Sequence, residues 1–148
     1  MNDIFNTTFE MSLRVLIILN ACQNKLSIDR ITAIDFISVY GRDFGVSEYN
    51  LHGNNSYKFS EYAIKRQIVS QSIKELALKS YVKPCYSKDG FAYEISENGV
   101  MLCQSLNDDY ANCFHDIVKK TIKMFSNYSD RKLALFINEC AILMFGGK

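Results

Sequence analysis

The sequence predicts a mainly α-helical chain with one small β-hairpin. Apolar residues recur at helical spacing over most of the chain, two short strand patterns flank a turn at 88–90, and Ser96 follows them as a helix cap. A long amphipathic helix, a hairpin and a capped helix in this order are typical of a winged helix-turn-helix domain. We therefore predict one winged-helix domain over residues 1–148, extended by N-terminal and C-terminal helices, with residues 97–148 as the C-terminal helical extension.

The first half of the chain predicts two helices and a long loop. The segment from Leu13 to Cys22 is apolar on nearly every side of a helix, so it needs cover all round. Ser27 is a suitable N-cap for a second helix, which we expect to end at Gly41. From Arg42 to Lys58 no period persists and turn-forming residues are frequent, which indicates a loop.

The third helix is predicted to begin near Ser60 and to be amphipathic. Its expected buried stripe consists of Ile64, Ile68, Val69, Ile73, Leu76 and Ala77. The hairpin follows, with strands from Tyr81 to Tyr86 and from Phe91 to Ile95, and Pro84 favours an edge position for the first strand. Asp108 and Ser129 then mark the beginnings of two further helices.

Composition limits the classes of function. Seventeen basic and sixteen acidic residues leave a net charge of +1, so there is no overall basic field to attract nucleic acid or anionic lipid. Five cysteines without short paired spacings are typical of free thiols in a reducing compartment. The apolar run 15–19 is far shorter than the ~20 residues of a membrane span, so we expect a cytoplasmic protein without membrane contact.

Few residues suggest catalysis. The sequence contains no phosphate-binding glycine loop, no dinucleotide fingerprint and no Cys-x-x-Cys pair. Cys113 and His115 are two residues apart in a predicted helix and point in different directions, so they are unsuited to chelation. His52 could form an acid-base pair with Asp43 or Glu48, but an ordinary polar loop is the simpler interpretation. We predict no enzyme, no cofactor, no metal and no small-molecule substrate.

A local excess of basic residues lies between Ser56 and Gly90, in the segment of the third helix and the hairpin. In a winged helix such groups lie where phosphates would be. The candidate DNA contacts are Arg66, Gln67, Gln71, Lys74, Lys83 and Lys88. One hypothesis is therefore a winged-helix transcription regulator that dimerises through its terminal helices and reads DNA; the other interpretation is an ordinary solvated helix face, since Leu78 lies among these residues.

The two terminal helices are more apolar than one small core requires. A partner protein would cover this surface, although pairing of the two helices in the core, or a homodimer interface, would also do so. The Arg42 to Lys58 loop is a second candidate contact. The candidate partner-binding residues are Leu133, Phe136, Ile137, Ile142, Leu143 and Phe145.

Short motifs also follow one another through the first two thirds of the chain. They are Phe5, Asn6, Glu10, Leu13, Arg14, Leu16, Leu19, Asn20 and Ala21, then Ile31, Asp35, Phe36, Val39 and Asp43, then Leu51 and His52, then Glu61 and Arg66, and finally Gly90, Phe91 and Tyr93. This series resembles the middle component of bacterial three-component ABC-ATPase conflict systems.

The resemblance implies a winged-helix accessory subunit that works with an SMC-like or Rad50-like ATPase subunit and a nuclease or other effector subunit. Lamassu-type complexes, which defend against phage and plasmids, are the setting it suggests. The subunit would be kleisin-like: it would sit at the ATPase heads and hold the effector inactive until the ATPase senses DNA. ATP, magnesium and any nuclease metal would belong to the partners, and this chain would make at most a weak DNA contact within the complex.

Overall fold

Helices and one antiparallel hairpin make up the part of the chain that the computed structural model describes, residues 7–88 and 90–146 without the side chains of Ser87 and Phe145. The predicted mainly helical architecture with a small hairpin is confirmed. In chain order the elements of this part are α1 (Thr8–Cys22), α2 (Ile28–Val39), α3 (Lys58–Leu78), β1 (Val82–Ser87), β2 (Gly90–Ile95), α4 (Glu97–Gln104), α5 (Asp109–Met124) and α6 (Asp130–Gly146).

Side-chain caps fix where several helices begin. Ser27, Ser96 and Asp108 each accept a hydrogen bond from the backbone N–H three residues further on, at 3.0, 3.1 and 2.8 Å. Each cap satisfies a backbone N–H that has no partner inside its own helix. The three helix starts predicted from these residues are therefore confirmed.

Helix α1 lies at the centre of the core and contacts α2, α3, α4 and α5. Its fully enclosed apolar residues are Met11, Val15, Leu16, Ile17, Ile18 and Leu19. Other helices of the same chain therefore cover these residues of α1, so the partner protein that the sequence left open as their cover is not needed for them.

Helix α3 buries the predicted stripe over its second half but departs from it near its beginning. Val69, Ile73 and Leu76 lie in the core as expected, but Ile64 is 60% exposed. Lys65, the residue next to it, is only 1% exposed. The helix is thus rotated so that a cation, and not an isoleucine, faces α1 and α2 over its first half.

The hairpin is joined to the helices through one residue between α1 and α2. Leu26 and Tyr93 exchange two backbone hydrogen bonds of 2.9 and 2.8 Å, so Leu26 pairs with the side of β2 that faces away from β1. Strand β1 pairs with β2 from Val82 opposite Ile95 to the turn. Pro84 therefore lies on the outer strand, as its lack of an N–H predicted.

Helix α6 packs against α2 at its beginning and reaches α3 at its end. The Ser27 hydroxyl donates to Asp130 at 2.6 Å at the beginning, and Arg30 pairs with the same carboxylate at 3.1 Å. At the other end the Lys58 ammonium lies 3.5 Å from the Met144 sulfur, beside the first turn of α3. None of the described helices is both long enough and apolar enough to cross a membrane.

Candidate interaction surfaces and a buried ionic cluster

A carboxylate in the core joins three helices. Asp35 of α2 accepts hydrogen bonds from Arg14 of α1 at 2.7 Å and from Lys65 of α3 at 2.9 Å. Their side chains are 0%, 1% and 1% exposed. Glu61 lies 3.9 Å from Lys65 and supplies a second negative charge, so the group has no net charge. We call these four residues the ionic cluster.

The ionic cluster stays charged because its members compensate one another. Burial by itself would raise the pKa of Asp35, but the Arg14 and Lys65 cations outweigh burial and hold the pKa of that carboxyl well below its usual range. Burial lowers the pKa of Lys65, and Asp35 opposes that shift. Each charge is therefore engaged by its neighbours and not directed at a ligand.

The ionic cluster also anchors the long loop between α2 and α3. The Tyr40 hydroxyl donates to Glu61 at 3.0 Å, and the Asn55 amide donates to the other Glu61 oxygen at 3.2 Å and to the Tyr40 oxygen at 3.0 Å. Burial raises the pKa of Tyr40 to about 12, so its hydroxyl remains a donor. The two ends of the loop are thereby held at one carboxylate.

His52 is a second anchor of the same loop. Its Nε2 lies 2.6 Å from the Tyr110 hydroxyl and its ring stacks on the Tyr110 ring at 6.0 Å. Burial and the nearby Arg14 cation lower the pKa of His52 to about 3, so the imidazole is neutral at physiological pH. Asp43, a possible partner by sequence, instead pairs with Lys58 at 3.1 Å, and Lys58 is 3% exposed.

The geometry does not assemble a metal centre in the described part of the chain. Within those residues there is no group of three or more His, Cys, Asp or Glu side chains that could hold a metal ion. Cys113 is half-buried on α5, and the side chain of His115, two positions further on, is 39% exposed. The described polar residues are instead used in contacts that hold the loop to the core.

The structure divides the candidate partner-binding residues of α6 into two groups. Leu133 and Ile137 are 1% and 2% exposed and pack inside the chain's own core. Phe136 is half-buried, with its ring against Phe125 and Phe44. The second group, Ile142 and Leu143, lies nearer the C-terminal end of the helix. The side chain of Phe145 lies outside the described residues.

The exposed group lies at the C-terminal end of α6. Ile142 and Leu143 are 67% and 72% exposed, and Met144, which sequence reasoning missed, is 51% exposed. We call these three residues the α6 end. A groove of about 350 Å³ adjoins it, lined by Asp43, Phe44, Lys58, Phe59, Cys140, Leu143 and Met144. The sequence could not indicate this groove because three separate segments form it.

All six candidate DNA contacts are exposed: Arg66, Gln67, Gln71, Lys74, Lys83 and Lys88. Carboxylates accompany three of them. Arg66 pairs with Asp29, Lys83 lies 3.9 Å from Glu94, and the Gln71 amide donates to Glu75 at 3.4 Å. These acids reduce the positive charge that the face would present to phosphates.

Taken together, the fold and its surfaces define a small, mainly helical protein whose exposed apolar side chains include three consecutive ones at the end of α6, and whose ionic cluster is engaged internally. The sequence matches the family model for the ABC-three component (ABC-3C) system Middle Component 2 over residues 4–145. Since this match spans nearly the whole chain, the protein belongs to that family. No curated protein and no solved structure was found to match it.

Membership makes the chain one component of a multi-subunit system, which implies protein partners and fits an accessory, non-catalytic role. Four of the residues that carried the family resemblance in the sequence, Arg14, Asp35, His52 and Glu61, lie in or beside the ionic cluster. Motifs that are dispersed in the sequence are thus close together in the fold.

Proposed function

We propose that this protein is a non-enzymatic accessory subunit that bridges an SMC-like or Rad50-like ATPase and an effector such as a nuclease in a Lamassu-type antiphage and antiplasmid complex. The observation that carries the proposal is the α6 end: three consecutive apolar side chains, each at least half exposed, on a helix whose other face is docked in the core. An isolated soluble chain gains nothing from such a surface, whereas a partner protein would bury it.

The order of the elements supports a winged-helix assignment. A residue between the first two helices pairs with the second strand of a hairpin that follows the third helix, which is the arrangement of a winged helix. In this proposal residues 1–148 form one domain and residues 97–148 are its C-terminal helical extension. The role is kleisin-like: the subunit sits at the ATPase heads in the cytoplasm and holds the effector inactive until the ATPase senses DNA.

Within α6, we assign the partner contact to those candidate residues that the fold leaves exposed. Ile142 and Leu143 would each contribute roughly 1.5 to 3 kcal/mol when fully buried against a partner. Leu133 and Ile137 instead hold α6 in place and orient its end. The loop between α2 and α3 carries two exposed rings, Tyr49 and Tyr57, which are 47% and 75% exposed, and we propose it as a second contact.

The alternative function is a homodimeric DNA-binding regulator. The observation that favours it is the exposure of Gln67 and Lys74 on α3, which corresponds to the recognition helix of a winged helix. Because Asp29 pairs with Arg66 on the same face, we propose that any DNA contact by this chain is weak and takes place inside the complex.

The test is reconstitution with the other two components of the same system. We expect the wild-type chain to co-purify with both, and the Ile142→Ser/Leu143→Ser variant to lose one of them while its thermal stability is unchanged. Leu78→Ser is the matched control, because Leu78 is 85% exposed on a different helix, and it should retain both components.

Two results would contradict the proposal. One is retention of both components by the Ile142→Ser/Leu143→Ser variant. The other is a chain that binds a defined DNA duplex by itself, with an affinity that falls steeply with salt and with a smaller slope after Lys74→Ala, because that behaviour belongs to the regulator.

A further inference from the structure

The hairpin carries an unexplained pair of exposed aromatic rings. Tyr86 and Phe91 are opposite each other across the strands and are 76% and 61% exposed. Their ring centroids are 5.1 Å apart at an interplanar angle of 66°, an edge-to-face contact. We call this pair the hairpin tip. Because the rings contact each other, each limits the orientations open to the other.

The hairpin tip is the outer end of one continuous apolar face. Side chains alternate between the two faces of a strand, so three cross-strand pairs share a face: Val82 with Ile95, Pro84 with Tyr93, and Tyr86 with Phe91. The first pair enters the core, where Val82 is 2% exposed. The two hydrogen bonds between Leu26 and Tyr93 hold the middle pair. A rigid base thus presents the rings.

The charges around the hairpin tip do not favour nucleic acid. In the sequence the hairpin carries Lys83 and Lys88 together with Asp89 and Glu94, so its net charge is zero. Lys83 lies 3.9 Å from Glu94. Phosphate binding depends on a net excess of cations, which the sequence of this hairpin does not contain. A protein surface is the better match.

A second copy of the chain does not fit either. An aromatic side chain buries about 150 to 250 Å² at most. Two hairpin tips packed symmetrically against each other would therefore bury less than the ~1,200 Å² of a stable interface. Two rigid aromatic rings on a narrow projection are instead suited to insertion into an apolar pocket, where such residues contribute much of the binding energy.

The hairpin tip and the α6 end lie at opposite ends of one helix. The α6 end contacts Lys58, the first residue of α3, whereas the hairpin begins shortly after Leu78, its last residue. A helix of 21 residues is about 30 Å long, so one protein can occupy each end without excluding the other.

We propose that the hairpin tip inserts into an apolar pocket of a second protein component, the one that the α6 end does not bind. This inference rests on the proposed bridging function and assigns its second docking surface. A bridge needs two separate contacts, and among the described residues the hairpin tip combines high exposure, aromatic character and a rigid base at the required distance.

The experiment compares three variants in reconstitution with the other two components. Tyr86→Thr/Phe91→Thr replaces both rings with a β-branched residue that also favours strands, so it should leave the thermal unfolding temperature unchanged. We expect it to lose at least ten-fold in affinity for one component and to bind the other normally. Ile142→Ser/Leu143→Ser should show the opposite selectivity. Lys88→Ala, at the same turn, is the matched control and should bind both.

Different results separate this inference from the proposed function. If the Thr variant binds both components normally while the α6 variant loses one, the hairpin tip is not a docking surface and the bridging function stands. If neither variant loses a component, the bridging function itself fails. If the Thr variant loses binding to a DNA duplex, the hairpin contacts nucleic acid and the inference is overturned. If Lys88→Ala weakens binding to a component as much as the Thr variant does, the effect is not specific to the rings and the inference is likewise overturned.

Discussion

Asp35 is the residue on which most of the buried polar structure depends. Moving Arg14, Asp35 and Lys65 out of water is costly, and the mutual attraction of their charges, with good hydrogen bonds, offsets that cost. The carboxylate cannot be removed without leaving two cations in the core. Its contribution is therefore greater than that of a surface ion pair.

Asp35→Asn should destabilise the protein by about 3 to 5 kcal/mol, since the neutral amide leaves two buried cations, Arg14 and Lys65, with Glu61 as the one remaining carboxylate of the ionic cluster. Urea unfolding followed by circular dichroism measures the change. Asp29→Asn is the matched control, because Asp29 and Arg66 are 63% and 58% exposed and such pairs contribute about 0 to 1 kcal/mol. Equal losses for the two variants would contradict this account of the core.

His52 predicts a pH dependence of stability. The pKa of His52 is about 3 in the folded chain, and a histidine in an unfolded chain has a pKa of about 6.5. Between these values the unfolded state binds more protons, so the free energy of unfolding falls as the pH decreases through this window. His52→Gln should reduce the difference in unfolding free energy between about pH 7 and about pH 5.

The wild-type chain, measured at the same two pH values, is the reference for this comparison. A His52→Gln variant with an unchanged pH difference would show that the imidazole is not held neutral by the core.

At the scale of elements, local signals were sufficient where the structure depends on local chemistry. Ser27, Ser96 and Asp108 fixed helix starts because a cap needs only the next three residues. The orientation of α3 could not be predicted in this way. Periodicity favours Ile64 as a core residue, but Lys65 is buried instead because it pairs with Asp35. That partner lies 30 positions away in the sequence, so local periodicity does not indicate it.

Helix α6 predicts two different outcomes for similar substitutions. Leu133→Ala should cost about 2 to 5 kcal/mol, because it leaves a cavity at a position that is 1% exposed. Ile142→Ala, at a position 67% exposed, should change stability by no more than about 0.5 kcal/mol. Chemical denaturation of both variants checks the difference. Equal losses of unfolding free energy in the two variants would mean that the α6 end is buried in the fold.

At the scale of the whole molecule, the candidate site was only partly predictable. The apolar end of α6 was visible in the sequence, although which of its residues are exposed depends on how it packs along α2. Tyr86 and Phe91 look like ordinary strand residues until the register places them opposite each other beyond the core. Surfaces made by juxtaposition carry no signal in local sequence.

The separation of the two surfaces predicts independent behaviour. Combining Tyr86→Thr/Phe91→Thr with Ile142→Ser/Leu143→Ser should change the free energy of unfolding by the sum of the separate effects, within about 0.5 kcal/mol. Each pair of substitutions should also reduce the affinity for its own component by the same factor, whether or not the other pair of substitutions is present. A calorimetric titration measures both affinities, and strong coupling would mean that the surfaces communicate through α3.

The exposed α6 end also has a consequence for how the protein is produced. A chain made in excess of its partner subunits exposes apolar side chains, which favour self-association and recognition by quality-control proteases. Under the proposed function its synthesis therefore needs to be matched to theirs, and expression alone should give a lower yield than joint expression. Balanced supply of the subunits would then follow from the exposed residues of the last helix.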